Sequence, residues 1–403
     1  MTVDVDSGSF LAIVAVAALS AVLAGLFARR LVVPVVVLEL VLGIVIGPEV
    51  LGIAERDAFI DFFANLGLGM LFFFAGYEID FERIKGEPLR LAAFGWLLSL
   101  VLAYTLGGIL AAMGIVLSLV FVGSAMATTA IGTLIPILRD AGELKTRFGT
   151  YLLGAGAIGE FGPILLITLV FSTKGAIENA LILLAFVILA VIAGVFAVRW
   201  VGQGWELFER TLETSSQLAI RFTVVIVFAL AALAATLGLD LLLGGFVAGI
   251  ILRLALRGRE VEVLESKLTA VGYGFLIPFF FVASGIGVDL GALTSDPIEF
   301  LKVPLFLVLF LIVRGVPAMV LYRRVLAARD RAALAFFSAT ELPLVVAITT
   351  IAVEEGHMHS STAASLILAA ICSTAIFPIV ALRLRGDLDP TPPPDVSPQP
   401  ALA

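Results

Sequence analysis

The sequence predicts an all-α polytopic membrane protein of about thirteen transmembrane helices, built on an inverted-topology repeat. Three observations lead there: a composition that no soluble globule has, a series of apolar runs of membrane-spanning length, and short motifs that recur at an odd segment offset. Of the 403 residues, 61% are hydrophobic and 14% charged, whereas soluble domains carry about 25% charged residues. Backbone groups in lipid must be satisfied internally, so such a chain crosses the membrane as helices. The net charge of −7 argues against a nucleic-acid partner. The one cysteine, Cys372, excludes a disulfide framework, and no Cys/His spacing suggests a zinc site. No cofactor is expected.

A helix needs about 20 apolar residues to cross the hydrocarbon. Runs of that kind start near Phe10, Leu31, Ala58, Leu91, Val116, Phe148, Glu178, Leu218, Leu239, Leu268, Leu301, Ala332 and Ser361. The second and ninth are short and rich in glycine. Residues 1–8 are acidic and polar, unlike the basic start of a leader, so no removable signal peptide is expected. Residues 1–386 read as one transmembrane domain. Residues 387–403 are proline-rich, and the expectation is a disordered cytoplasmic tail.

Charge placement supports the count. With the N-terminus outside, 21 of the 25 Lys and Arg fall in cytoplasmic loops. Arg56, Lys174 and Lys302 fall on the other side, and Arg314 lies inside a segment. The C-terminus is then cytoplasmic.

The third segment ends LFFFAGYEID (Leu71 to Asp80) and the tenth ends FFFVASGIGVD (Phe279 to Asp289). The second holds LVLGIVIG, with Gly43 and Gly47, and the ninth holds LLGGFVAG, with Gly245 and Gly249. The fifth opens SAMATTAIG from Ser124 and the twelfth SATELPLV from Ser338. Each pair is seven segments apart. An odd offset places the second copy upside down, the arrangement of secondary transporters, whose sites lie near the midplane where interrupted helices meet.

Ionisable groups at membrane depth are costly, about 2.5–3.5 kcal/mol on insertion scales, and are functional by default. Glu39, Glu160, Arg314 and Glu341 stand well inside segments. Glu160 lies in GAGAIGEFGPI, where small residues permit close helix approach and Pro163 frees a carbonyl. A carboxylate in a narrow, partly hydrated site holds a proton or a small cation, and that competition is the minimal chemistry of an antiporter. The plainer alternative is a structural ion pair with Arg314. In the fifth segment, Thr128, Thr129 and Thr133, with Gly132 and Pro136, weaken the helix and offer the oxygen ligands that hard cations prefer. Arg314 does not deprotonate, so it either neutralises helix C-terminal ends or pairs with Glu341 or Glu160. Glu39 reads as lining a funnel or packing at an interface. Glu78 and Asp80 read as solvated at the inner edge, and His357 and His359 as solvated in an outer loop.

Together these residues resemble the cation:proton antiporter superfamily, in its bacterial sodium/proton and Kef-type potassium/proton antiporter branch. The resemblance runs from about Phe10 to Leu382 and rests on four stretches. They are P-x-x-x-L-E-L-x-x-G-x-x-x-G-P-E-x-L-G (Pro34 to Gly52), LGLGMLFFFAGYEIDF, LGLDLLLGGFVAGIIL (Leu237 to Leu252) and FFFVASGIGVDL. It implies a homodimer in membrane lipid, with a dimer (scaffold) part joined to a mobile core part that works by alternating access. It also implies two interrupted helices that cross at the site, matched here by the fifth and twelfth segments. The family's Asp-Asp or Asn-Asp pair falls on Gly159-Glu160, its basic residue on Arg314, and its further acid on Glu341 within T-E-L-P. A single carboxylate exchanging one cation for one proton moves no net charge, so electroneutral exchange of Na+, Li+ or K+ is the expectation. Thr128, Thr129 and Glu160 are the candidate cation and proton ligands, and Arg314 and Glu341 the supporting charges. The Kef-type nucleotide-sensing tail is not expected.

Other readings stay open: a carrier of the same fold that binds an organic anion at Arg314, and a channel or sensor that passes cations without proton coupling. An enzyme is not expected, because no Gly-x-Ser-x-Gly or HExxH stands with a histidine at membrane depth. Arginine far outnumbers lysine, which suggests a GC-rich bacterium and its cytoplasmic membrane.

Overall fold

In the computed structural model the apolar runs become helices, and their ends follow local chemistry. Asp57 caps the third segment by accepting the Ile60 N–H at 2.7 Å. Asp6 caps the first, and the Ser9 hydroxyl, then the Gly8 and Ser9 amides, hold its carboxyl below the usual carboxylate range. The structure describes residues 6–27, 34–79, 81–170, 181–196, 216–237, 239, 241–256, 262–294 and 297–386, with 199, 211 and 214 singly. The expected starts near Leu31 and Glu178, Asp80, Lys174 and the tail 387–403 lie outside the described residues.

Every regular element among the described residues is helical. In order they are α1 (Ser7–Phe27), α2 (Val35–Ile46), α3 (Ala58–Glu78), the short α4 (Phe81–Ile84), α5 (Glu87–Ala112), α6 (Leu119–Met126), α7 (Ile131–Asp140) and α8 (Arg147–Val170). Then come α9 (Leu181–Phe196), α10 (Leu218–Thr236), α11 (Leu241–Ala255), α12 (Glu262–Val271), α13 (Ile277–Ile286) and the short α14 (Leu290–Thr294). The last four are α15 (Pro297–Leu321), α16 (Ala328–Ser338), α17 (Pro343–Glu354) and α18 (Ser360–Arg385). Among the described residues, eight stretches are long and apolar enough to cross a membrane, and four shorter apolar ones accompany them. With α8 these coincide with all the expected segments.

Several helices begin earlier than the apolar runs do. α5 starts at Glu87, α12 at Glu262 and α16 at Ala328, because a charged or proline-containing first turn lies ahead of the hydrocarbon. The tenth segment is α12 and α13 joined through a π-helical turn, Gly272–Leu276. Apolar patterning carries no sign of such a turn.

The repeat is visible as reciprocal glycine packing. Gly43 on α2 and Gly47, which caps its C-terminal end, let that backbone lie against Val282, Gly285 and Ile286 of α13. Gly245 and Gly249 on α11 let that backbone lie against Gly69, Phe73 and Tyr77 of α3. A β-carbon at Gly43 would run into the Val282 carbonyl, and one at Gly249 into the Phe73 carbonyl. The glycine helix of each copy thus clasps the triple-phenylalanine helix of the other. α10 and α9 pack on α11. The second group of helices, α5, α8, α15, α16 and α18, packs together around the breaks between α6 and α7 and between α16 and α17. It meets the first group through α3 with α7 and α8 with α11.

Candidate functional site

Both expected interruptions are present. α6 ends at Met126 and α7 begins at Ile131; α16 ends at Ser338 and α17 begins at Pro343. The local causes differ. Thr128 turns its hydroxyl back to the Ala125 carbonyl at 3.0 Å, whereas Pro343 brings no N–H and restricts the residue before it. Each break leaves orphan carbonyls on one side and orphan amides on the other.

The two breaks cross and satisfy each other. The Ala130 amide donates to the Thr340 carbonyl at 2.8 Å. The Thr129 hydroxyl donates to the Ser338 carbonyl at 2.6 Å, and the Thr129 amide to the Gly159 carbonyl on α8 at 3.1 Å. The Trp96 indole on α5 donates to the Ala127 carbonyl at 3.1 Å. On the other side, the Glu341 amide donates to the Ser373 hydroxyl at 3.0 Å, and Thr374 donates to the Glu341 carbonyl at 3.2 Å. Thr129 and Glu341 hold equivalent places in the two breaks, each the third residue after the end of the first half-helix, although aligning SAMATT with SATELP residue by residue would pair Glu341 with Ala127.

Arg314 on α15 is 4% exposed. Its Nη2 and Nε donate to the Thr129 hydroxyl at 2.7 and 3.0 Å, Nη1 to the Ser99 hydroxyl at 3.1 Å, Nε to the Ser338 carbonyl and Nη2 to the Ala155 carbonyl, both at 3.3 Å. It forms no ion pair with Glu160 or Glu341 among the described residues. Of the roles open to it, neutralising helix C-terminal ends is the one its bonds fit. The Thr129 hydroxyl accepts from Arg314 and donates to Ser338, so its bonding capacity is filled. That arrangement suits a holder of Arg314 better than a cation ligand. Thr128 keeps its acceptor lone pairs and stands beside Glu341.

Glycines 156, 159 and 162 line one face of α8 at three-residue spacing. Added β-carbons there would meet Ile131 at 2.5 Å, Arg314 Nη2 at 2.5 Å with Thr129 Oγ1 at 2.7 Å, and the Trp96 ring at 2.5 Å. The polar residue expected before Glu160 is missing because the guanidinium and the threonine fill its place.

Glu160 is 3% exposed, and its Oε2 is buried with no partner. The Gly132 amide, in the first turn of α7, reaches the carboxyl, which therefore sits at the positive end of that half-helix. Glu341 is fully buried, and neither carboxyl oxygen has a partner within hydrogen-bond distance.

A cavity of about 350 Å³ leads toward this centre between α3, α7 and α12, lined by Tyr77, Glu78, Arg139, Arg253, Glu265 and Tyr273. A narrower void of about 20 Å³ touches Glu78, Ile131 and Ala157, and Ala157 is one turn before Glu160. At the opposite end, a cavity of about 180 Å³ between α13, α17 and α18 is lined by Asp289, Thr349, Thr350 and Glu354. The inverted repeat relates two walls of each large cavity, α3 with α13 and α7 with α17. The expectation that Glu78 is simply solvated is corrected here. Its Oε2 is buried without a partner, in a wall shared with Arg139, Glu265 and Tyr273 and with Ile84 of α4 lining the void beside it. Glu39 is 2% exposed on α2 and packs within the fold without lining any of these cavities. His357 and His359 are exposed, and His357 stacks on Phe121. Ser99, Trp96, Ser373, Thr374 and Thr340 escaped the sequence reading. A polar group at membrane depth needs a partner, and that signal was available for all five.

The family model for the transmembrane sodium/hydrogen exchanger matches residues 17–382. The chain belongs to that family. Sodium/hydrogen exchangers are secondary transporters, not enzymes. The chain is 28% identical to YjbQ of Bacillus subtilis over 88% of its own length and 59% of that protein, so it spans about three-fifths of this relative. It is 29% identical to the Na+/H+–K+ antiporter GerN of Bacillus cereus, over 68% of this chain and 70% of GerN. The fold matches that of the sodium proton antiporter MjNhaP1 from Methanocaldococcus jannaschii, with a TM-score of 0.61 and 15% identity, over 94% of this chain and 95% of that one.

Proposed function

We propose that this sodium/hydrogen exchanger moves a monovalent cation (Na+, Li+ or K+) against a proton, with Glu160 as the group that carries one or the other. The observation that carries the reading is the Glu160 carboxyl, buried beside the crossing of two broken helices with one oxygen unpartnered. A carboxylate oxygen left without a donor in a dry site costs about 1–3 kcal/mol or more. A bound proton or cation relieves that cost, and the two exclude each other at one oxygen. Thr128 and Glu341, side by side at the crossing, are the further candidate oxygens, whereas Arg314 and Thr129 brace it.

The pair of cavities at the two ends, unequal in volume, supports alternating access between two faces. Arg314 has its donors committed to Thr129, Ser99 and two backbone carbonyls, which speaks against an organic anion bound there. With Arg314 fixed in place and one exchanging carboxylate, the exchange is electroneutral. The lysine and arginine distribution supports an N-terminus outside and a C-terminus in the cytoplasm, with the larger cavity then facing the cytoplasm. The bacterial relatives support a bacterial cytoplasmic membrane. A homodimer in lipid, with a scaffold part and a mobile core part, completes the reading.

The test is exchange in proteoliposomes. An imposed pH gradient is challenged with Na+, Li+, K+ or choline, for wild type and Glu160→Gln. The expected result is collapse by at least one alkali cation in wild type and none in the variant. For Na+ and Li+, the rate is expected to stay the same when valinomycin and K+ clamp the membrane potential. Absence of proton coupling to every cation, from mildly acid to alkaline pH, would sink the proposal.

A further inference from the structure

We propose that Glu78 is a second cation-binding carboxylate, an intake site at the neck between the larger cavity and Glu160. The inference rests on the antiport reading above and adds a station to its path. Glu78 is the last residue of α3 and lines both the cavity of about 350 Å³ and the narrow void of about 20 Å³. That void also touches Ile131, the residue before Gly132, and Ala157, one turn before Glu160. A cation leaving the cavity for Glu160 therefore passes Glu78.

Arg83, Arg139 and Arg253 share the cavity wall with Glu78, and three features suit the position to a cation against them. Its Oε2 is buried and has no hydrogen-bond partner. The C-terminal end of α3 adds partial negative charge from its last carbonyls. Oxygen donors of this kind, a carboxylate beside helix-end carbonyls, are what hard monovalent and divalent cations take. Tyr273 stands beside it on the π-helical turn, a local distortion often found at functional sites. The site is confined to one face. The cavity at the other end is lined by Gly287, Val288 and Asp289 after the matching helix α13, with no acid in that helix's last turn.

One-sidedness makes the proposal testable. Exchange is measured in proteoliposomes with Na+, Li+ or K+ presented from either face. The cavity face is assigned by labelling Thr269→Cys, at the cavity mouth, in a Cys372→Ala background with an impermeant maleimide. Glu78→Gln is expected to raise the KM for the cation about tenfold on the cavity face, with the maximal rate within about twofold and the opposite-face KM unchanged. An unchanged KM on the cavity face, or an equal change on both faces, overturns the intake site. If Glu160→Gln abolishes exchange in the same experiment, the antiport reading stands without it. If wild type exchanges no cation from either face, the antiport reading fails and the intake site with it. Should Glu78→Gln not insert, Glu78→Asp carries the test, because it keeps the charge and withdraws it by one methylene. The same one-sided rise in KM is expected, and its absence overturns the proposal.

Discussion

The Nη2 of Arg314 occupies the place that a side chain on residue 159 would need: a β-carbon built on Gly159 would lie 2.5 Å from it. An arginine on α15 thus reaches across to α8 and stands in for a missing polar neighbour of Glu160. The guanidinium, being charged at all pH values of interest, gives the site a fixed positive charge among carbonyls and hydroxyls, within electrostatic reach of Glu341 but in contact with neither carboxylate.

Gly159→Ala is expected to cost about 1–3 kcal/mol, the usual range for overpacking a close contact. Neither Arg314 nor Thr129 has room to retreat without giving up bonds at the crossing. Thermal melts of the detergent-solubilised protein would read the loss, and an unchanged melting temperature would contradict the contact.

Arg314→Lys keeps the charge and loses the planar fork that spans Thr129, Ser99 and the Ser338 and Ala155 carbonyls. The expected destabilisation is about 2 kcal/mol, from acceptors left without donors. Thermal melts and exchange rates measured together would separate this loss from a direct role in ion binding. Wild-type stability with abolished exchange would assign Arg314 to the ion path.

The two neighbouring threonines are expected to part company. Thr129→Val leaves Arg314 and the Ser338 carbonyl short of partners, so stability falls by about 1–3 kcal/mol. Thr128→Val removes free acceptor lone pairs, so the cation KM rises while the melting temperature moves little. Measuring both quantities on both variants decides the assignment, and the reverse pattern would exchange their roles.

Trp96→Phe preserves the ring against Gly162 and deletes the N–H that caps the Ala127 carbonyl. A loss of about 1 kcal/mol is expected, with exchange slowed because the broken end of α6 is no longer fixed. Equal stability and rate in the variant would show that the cap is dispensable.

Much of this architecture could be read in the sequence. Segment length and the lysine and arginine alternation located the helices. The SAMATT and SATELP matches located the breaks, because proline, threonine and small residues leave a local imprint. Glu160, Arg314 and Glu341 stood out because charge at membrane depth is costly wherever it points. What the sequence could not supply was direction. The choice of Arg314 between carboxylate and carbonyl partners depends on how five helices meet. The same holds for the filled hydroxyl of Thr129 beside the open one of Thr128. Glu78 read as surface because its segment ends there, and it is the approach of α12, with Tyr273 and Ile84, that encloses it. The π-helical turn at Tyr273 has no compositional mark at all.

The reciprocal clasp between the repeats bears on how the protein is made. The grooves that Gly43 and Gly47 open on α2 are filled by α13, and the ridge of α3 is received by Gly245 and Gly249 on α11. On the ribosome, both partners emerge long after the helices they complete. During synthesis the first half therefore sits in the bilayer with its closest-packing surfaces facing lipid, and the final contacts form only when the second half has been inserted upside down beside it. Assembly is late and strongly non-local. A polypeptide halted before α11 is, on this view, a set of inserted helices without a tertiary structure, and a natural substrate for membrane quality control.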